Sequence, residues 1–267
     1  MPQPPVVSPE MLSQFEREGA IRLDGLFPAP AIARAREAVL RQMEKLGLWR
    51  DGAWRLPHPR PQWPAMGIKP ARDIGHRHPE TEALIEEPAL LAAVDRLLEG
   101  QAFDRVTYPR PQLLVSLPNA HTWHLPDGWH TDSPRLQSGR SPGVQLFTFL
   151  EPVEPQGGGT LVIAGSHRLL NDRGVLKMKD ITATLKSELF FRRLDVWQDG
   201  ELPEGLVHGV PLRVVELTGA PGDAWLIDLR LLHSASPNVS GRPRIMATHR
   251  FVRSDVMPEL AAAYGWA

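Results

Sequence analysis

Three short stretches of this chain carry residue types that could do chemistry together. Trp129-His130-Thr131-Asp132 supplies an imidazole and a carboxylate two positions apart. Leu232-His233-Ser234 supplies a second imidazole, and Arg244 follows within Gly241-Arg242-Pro243-Arg244-Ile245. Two His and one carboxylate on one side of an ion form the facial set that holds non-haem Fe(II) and leaves three positions open. A fixed guanidinium just beyond the second His suits a dicarboxylate, because its planar fork matches a carboxylate through two parallel hydrogen bonds. The set points to an iron enzyme that binds 2-oxoglutarate and activates O₂.

The spacing has a physical reason. Successive strand residues point to opposite faces, so His130 and Asp132 on a strand share a face and can grip one ion. On a helix they would stand about 200° apart. Aromatic and β-branched neighbours, with Pro134 beyond, favour a strand end. The second His must then come from another strand, and a long sequence gap is expected. Ten His and fourteen Asp in 267 residues give about 0.5 His-x-Asp triplets by chance, so the triplet alone carries little weight. What raises it is His233 with an Arg on the strand that follows.

The length suits one domain, or a barrel with elaborations. We expect a single domain over 1–267, with a helical part at 9–100 and a barrel core at 103–253 carrying an insertion at 168–210. With 42% hydrophobic residues the chain can bury a sizeable core, and a net charge of −1 with interspersed signs gives no nucleic-acid or membrane footprint. There is no Cys, which excludes disulfides, thiolate metal sites and a Cys nucleophile. Met1-Pro2-Gln3-Pro4-Pro5 lacks a charged-then-apolar signal pattern, and no run of 18 apolar residues occurs. A cytoplasmic protein acting on a small molecule is the default expectation, and the oligomeric state is not legible.

Helices come first. Ser8-Pro9-Glu10 is an N-cap followed by Pro in the first turn, and Pro28-Ala29-Pro30 opens a second helix through about Leu46, with a short strand at 20–23 between them. Residues 51–80 are rich in Pro, Arg, His and Trp and show no period, which predicts a long ordered loop near the site. Another helix is expected at 82–99. From about 103 the periodicity moves towards two, giving candidate strands at 111–117, 122–132, 143–151, 159–163, 212–217, 223–231 and 244–252. Helices followed by short strands predict an α+β, mainly β chain with a sandwich or barrel core. A helix around 184–194 lies in the insertion, which could cover the barrel mouth.

The whole chain resembles the phytanoyl-CoA dioxygenase family of Fe(II)- and 2-oxoglutarate-dependent oxygenases. Phe15-Glu16-Arg17-Glu18-Gly19-Ala20-Ile21-Arg22-Leu23-Asp24-Gly25-Leu26-Phe27-Pro28 looks like its N-terminal signature, and Trp129-His130-Thr131-Asp132 resembles its metal motif. Gly157-Gly158-Gly159-Thr160-Leu161-Val162-Ile163-Ala164-Gly165-Ser166-His167-Arg168 resembles its central stretch, with Ala164 in place of the usual Pro. His233-Ser234-Ala235-Ser236-Pro237-Asn238 with Arg244 resembles its C-terminal motif. The resemblance implies a double-stranded β-helix, a cupin-like jelly-roll barrel with helices packed on one side. It assigns the metal to His130, Asp132 and His233, and the distal carboxylate of 2-oxoglutarate to Arg244. Arg242 is the rival, but it precedes Pro243. Phe147 matches a position flanking the co-substrate, and Gln145 shares its face. His167 is a candidate for the mouth of the site or for a loop hydrogen bond. The polar co-substrate contact common on the strand before the metal motif is not evident among Leu113, Leu114, Val115 and Ser116. Because Asp132 is retained, where halogenating relatives carry a small residue, oxygen chemistry is implied: hydroxylation of a small organic molecule with release of succinate and CO₂. Alternatives are a non-catalytic cupin-like binding protein, or desaturation, epoxidation or ring closure at the same centre.

Other candidates have plainer readings. His121 and His124 fall on opposite faces by strand parity, and His76-Arg77-His78 lacks a carboxylate partner. Trp54, Trp63 and Trp129 could line an apolar pocket. Asp223 reads as a turn residue, and Asp228 faces away from the iron. On the last strand Arg244, Met246, Thr248 and Arg250 share one face. An inward Arg250 needs a carboxylate or an exit to solvent, which predicts a structural ion pair near the far end of the barrel.

Overall fold

The computed structural model describes residues 7–56 and 78–265. The expectations placed on Trp63, His76 and Arg77, and residues 57–77 of the loop expected at 51–80, lie outside the described residues.

Local signals explain the N-terminal helices. In α1 (Pro9–Glu18) the Ser8 hydroxyl accepts from the Met11 N–H at 3.2 Å, and Gly19 ends the helix in the left-handed region. Strand β1 (Ala20–Leu23) follows directly. Helix α2 (Ala29–Lys45) buries Ile32, Ala35, Val39 and Met43 on one stripe. Where the loop was expected to begin there is instead a small hairpin, β2 (Trp49–Arg50) with β3 (Ala53–Trp54). The single helix expected at 82–99 is broken into α3 (Pro79–Glu82), a 3₁₀ turn at Ala83–Glu86, and α4 (Pro88–Leu97). The cause is Pro88, which cannot donate to a preceding turn and forces Glu87 into an extended conformation.

Two antiparallel sheets face each other. The larger joins β4 (Phe103–Asp104), β5 (Gln112–Ser116), β6 (Gly143–Phe149), β10 (Ala224–Asp228) and β12 (Arg244–Arg253) to β1, in the order β1-β10-β6-β12-β4 with β5 also on β12. The smaller contains β7 (Thr160–Ala164), β8 (Glu204–Val207), β9 (Val210–Glu216) and β11 (His233–Ala235), in the order β11-β7-β9-β8. Strand parity sorts the core. Phe147, Phe149, Ile227 and Met246 meet Val162 and Leu217 between the sheets. Their sequence neighbours Leu146, Leu226, Ile245 and Ala247 pack outward against α1, α2 and α4. The curled sheets form the double-stranded β-helix implied by the sequence, with N-terminal helices on its outer face.

Three expectations need correction. Residues 122–132 are not a strand; only His130 makes an isolated bridge, to His233. Pro118, Pro126 and Pro134 frame this segment and deny it regular ladder donors. The insertion helix is two helices, α5 (Met178–Leu185) and α6 (Leu189–Leu194). They pack on the outer face of the small sheet, where Ile181, Leu185 and Phe190 meet Leu161, Ile163 and Val214, so the insertion flanks the mouth instead of covering it. Its last part supplies β8. Beyond β12, α7 (Met257–Tyr264) closes one end of the barrel, with Leu260 against Leu136, Leu229 and Val252. No helix among the described residues is long and apolar enough to cross a membrane.

Candidate active site

The two imidazoles face each other through a direct antiparallel pairing. The His130 N–H donates to the His233 carbonyl at 3.0 Å, and the His233 N–H donates to that of His130 at 2.8 Å. Their ring centroids are 4.3 Å apart. Asp132 stays beside them because its N–H donates to the Leu229 carbonyl at 3.2 Å. One donor atom from each of His130, Asp132 and His233 lies within 4.8 Å of the others. Irregular backbone thus achieves what a regular strand was expected to do.

The donor set suits a divalent metal. Nδ1 of His130 lies 3.1 Å from the Gly128 carbonyl, and Nδ1 of His233 lies 3.0 Å from that of Leu231. A carbonyl only accepts, so both Nδ1 atoms carry the hydrogen and both Nε2 atoms keep a free lone pair. Burial pushes the His233 imidazole down to about 4, against the pull of Asp132. Burial opposes ionisation of Asp132, but the neighbouring His233, Arg250 and His130 outweigh it and hold its pKa below the ordinary carboxylate value. Because His233 is neutral at neutral pH, Arg250 is the standing cation of this group. A neutral imidazole and an ionised carboxylate are the forms a metal takes.

Arg244, Phe147 and Gln145 open into the same cavity of about 380 Å³ as the three candidate ligands. Arg244 is 2% exposed, donates Nη1 to the Gly158 carbonyl at 2.6 Å, and leaves Nε without a partner. Gly158 turns at φ +82°, and a Cβ there would meet Asn238 at 2.9 Å, so glycine lets this carbonyl reach the guanidinium. Burial lowers the Arg244 pKa to about 10, partly offset by Glu216, so it stays charged. No carboxylate is in contact with it among the described residues. A buried cation with an idle donor fits an incoming carboxylate. Arg242 is exposed in the turn before β12 and does not line the cavity. Phe147 sets its ring 6.3 Å from that of His233. Gln145 donates to the Thr248 hydroxyl at 3.0 Å and leaves its buried Oε1 unpartnered. In register it opposes Arg250, which puts it at the Asp132 end of the cavity.

Several residues were missed or misplaced by sequence reasoning. Gln112 lines the cavity. It shares the inward face with Leu114, one position before the window in which a polar contact was sought. Arg250 points inward as parity predicts, but its carboxylate partner is Asp132 itself, through Nε at 2.7 Å and Nη2 at 2.6 Å. The far-end structural pair is therefore corrected. Arg135 is fully buried, with Nε, Nη1 and Nη2 donating to the carbonyls of Leu169, Arg230 and Ser166, each at 2.9 Å. It binds the segments after Asp132 and before His233 to the central turn. Arg230 pairs with Asp228 at 2.8 Å away from the metal group, as expected of Asp228. Asp223 holds the Ala220 and Gly25 N–H groups in a turn.

His167 does not reach the mouth; its Nε2 lies 3.1 Å from the Glu16 carbonyl at the end of α1. His121 and His124 are exposed on irregular chain, so strand parity does not apply to them. His78 precedes α3, and Trp54 packs edge-on against Trp49. Trp129 lines a second cavity of about 400 Å³ with Lys179, Lys186 and Phe191, and Asp127 borders both cavities.

A sequence model described as Phytanoyl-CoA dioxygenase (PhyH) matches residues 15–246. Among curated proteins, an uncharacterized protein of Mycobacterium tuberculosis is 26% identical over 180 residues, 66% of this chain and 52% of that one. The chain thus spans about half the length of the first curated relatives it matches. The ectoine dioxygenase of Sphingopyxis alaskensis is 26% identical over 251 residues, 90% of this chain and 74% of the other. Among solved structures, the non-heme alpha-ketoglutarate-dependent carbocyclase SnoK from nogalamycin biosynthesis superposes with a TM-score of 0.62 at 17% identity, covering 94% of this chain and 87% of that one. EctD of S. alaskensis, solved with 2-oxoglutarate and 5-hydroxyectoine, gives 0.59 at 19% identity, covering 96% and 79%. At these identities the structural likeness is one of fold.

Proposed function

We propose, from the premise that this chain belongs to the phytanoyl-CoA dioxygenase family, that it is an Fe(II)- and 2-oxoglutarate-dependent dioxygenase that hydroxylates a small organic molecule. The observation that carries this reading is one cavity with His130, Asp132 and His233 converging within 4.8 Å and a buried Arg244 that meets no carboxylate among the described residues. His130, Asp132 and His233 would hold the iron. Arg244 would take the distal carboxylate of 2-oxoglutarate, with Phe147 as an apolar wall. Gln145, with its free Oε1, would serve the Asp132 end. Iron with 2-oxoglutarate supplies the oxidation when bound: O₂ is consumed, 2-oxoglutarate leaves as succinate and CO₂, and one oxygen atom enters a substrate C–H bond.

The chain's own residues do the rest. The Gly128 and Leu231 carbonyls fix the imidazole tautomers. Phe147, Leu114 and Pro126 keep the wall dry, which strengthens every charge contact inside. A cavity of about 380 Å³ must house the metal group and the diacid, so a larger substrate would extend past Asp127 into the second cavity.

The test is an anaerobic titration of Fe(II) and 2-oxoglutarate, then a substrate screen read by succinate formation. Succinate formed in step with one product supports the reading. Failure to bind 2-oxoglutarate in the presence of metal would favour a non-catalytic binding protein. Product mass separates hydroxylation from desaturation, epoxidation and ring closure.

A further inference from the structure

We infer that Arg250 is a positioning residue for the metal centre: it sets the carboxylate of Asp132 for metal uptake and does not contact 2-oxoglutarate or substrate. The inference rests on the iron reading above. Asp132 lies on irregular chain, so no ladder fixes its side chain. The guanidinium does so instead, spending Nε and Nη2 on the one oxygen, Oδ2, at 2.7 and 2.6 Å. The other carboxylate oxygen has no protein donor among the described residues. Arg250 is itself braced, its guanidinium carbon 5.3 Å from the centroid of the Tyr108 ring, on a strand that places it opposite Gln145.

The two cavity arginines therefore divide the work. Arg244 is buried with an idle donor and no carboxylate in contact among the described residues, so it is free for a ligand. Arg250 has Nε and Nη2 engaged by Asp132. A cation beside a metal site repels the metal, but this one is delocalised, and its side chain is 20% exposed against 12% for Asp132, so solvent screens it. Holding the ligand in one ionised orientation outweighs that repulsion, as partners of metal ligands generally do.

The experiment titrates metal-free protein with Co(II), followed by calorimetry and by visible absorption, in wild type, Arg250→Ala, Arg250→Lys and Tyr108→Leu. Arg250→Ala should weaken Co(II) binding about 10- to 100-fold and change the absorption envelope. Arg250→Lys should recover part of the loss. Tyr108→Leu should shift affinity in the same direction by a smaller factor, and it keeps the test alive if Arg250→Ala does not fold. At saturating Co(II), affinity for 2-oxoglutarate should match wild type. Unchanged Co(II) affinity in Arg250→Ala, or selective loss of 2-oxoglutarate with metal binding intact, overturns the inference. If wild type itself takes no Co(II), the iron reading fails first.

Discussion

The two arginines flanking Pro243 differ in one physical respect that decides their roles: Arg244 is buried with an unused Nε, and Arg242 is exposed. Loss of a partly buried ion pair costs about 2–5 kcal/mol, roughly 30- to several-thousand-fold. Arg244→Ala should therefore raise the apparent KM for 2-oxoglutarate by that order, with Arg242→Ala near wild type; initial-rate kinetics with the opposite ranking would move the role. The residues of the candidate centre were legible because a facial set needs few residue types at constrained spacing. Gln112 was not, because parity alone says which positions point inward and not how far along the strand the cavity reaches. Arg135 was invisible for another reason. Arginine is rarely buried, and its three carbonyl partners come from two segments, the central turn and the chain before His233, that meet it only in the fold.

At the scale of elements, the longer strands β1, β5, β6, β7, β9, β10 and β12 were read with their ends off by a few residues at most, while the short ladder strands β4, β8 and β11 and the segment that presents His130 and Asp132 were not. Alternating hydrophobicity reports a strand with a dry face and a wet one. The 117–133 segment instead pairs singly with the chain around β11 and is held by side-chain donors. Arg135 is the largest of these supports. Arg135→Met keeps the volume but orphans the buried carbonyls of Leu169 and Arg230, while that of Ser166 keeps the Leu169 N–H, and an unsatisfied buried group costs about 1–3 kcal/mol. The expected loss is about 3–5 kcal/mol in urea unfolding, with weakened metal binding as a second readout; a loss below about 1 kcal/mol would show that the segment is held by other contacts. The split of the insertion into α5 and α6 was missed because Ser187-Glu188 interrupts the helix with no Pro or Gly to announce it.

For the molecule as a whole, the helical layer on the large sheet has a pH cost built into it. His249 sits on the outward face of β12, 6% exposed, with Nδ1 unpartnered and its ring 4.7 Å from that of Phe251. Burial pushes its pKa down to about 4. The unfolded chain takes a proton near the ordinary value of about 6.5 and the folded one does not. The contribution to stability is thus whole above that value and falls away as the pH drops towards 4. It amounts to at most about 3 kcal/mol. Urea midpoints of metal-free protein should drop between pH 7.5 and 5, and His249→Phe should lessen that slope while leaving the share of buried His233; an equal slope in the variant would assign the effect elsewhere.

The reciprocal bridge between His130 and His233 has a kinetic consequence. It closes a chain segment of more than a hundred residues, and such contacts form only once most of the barrel has condensed. The centre therefore has no existence in early intermediates, and a metal ion cannot template the path to the native state. Metal should slow unfolding while leaving the refolding rate unchanged, which stopped-flow refolding with and without Co(II) would measure. Which ion the protein carries is then decided after folding, by what the finished barrel meets in its surroundings and how tightly each candidate binds.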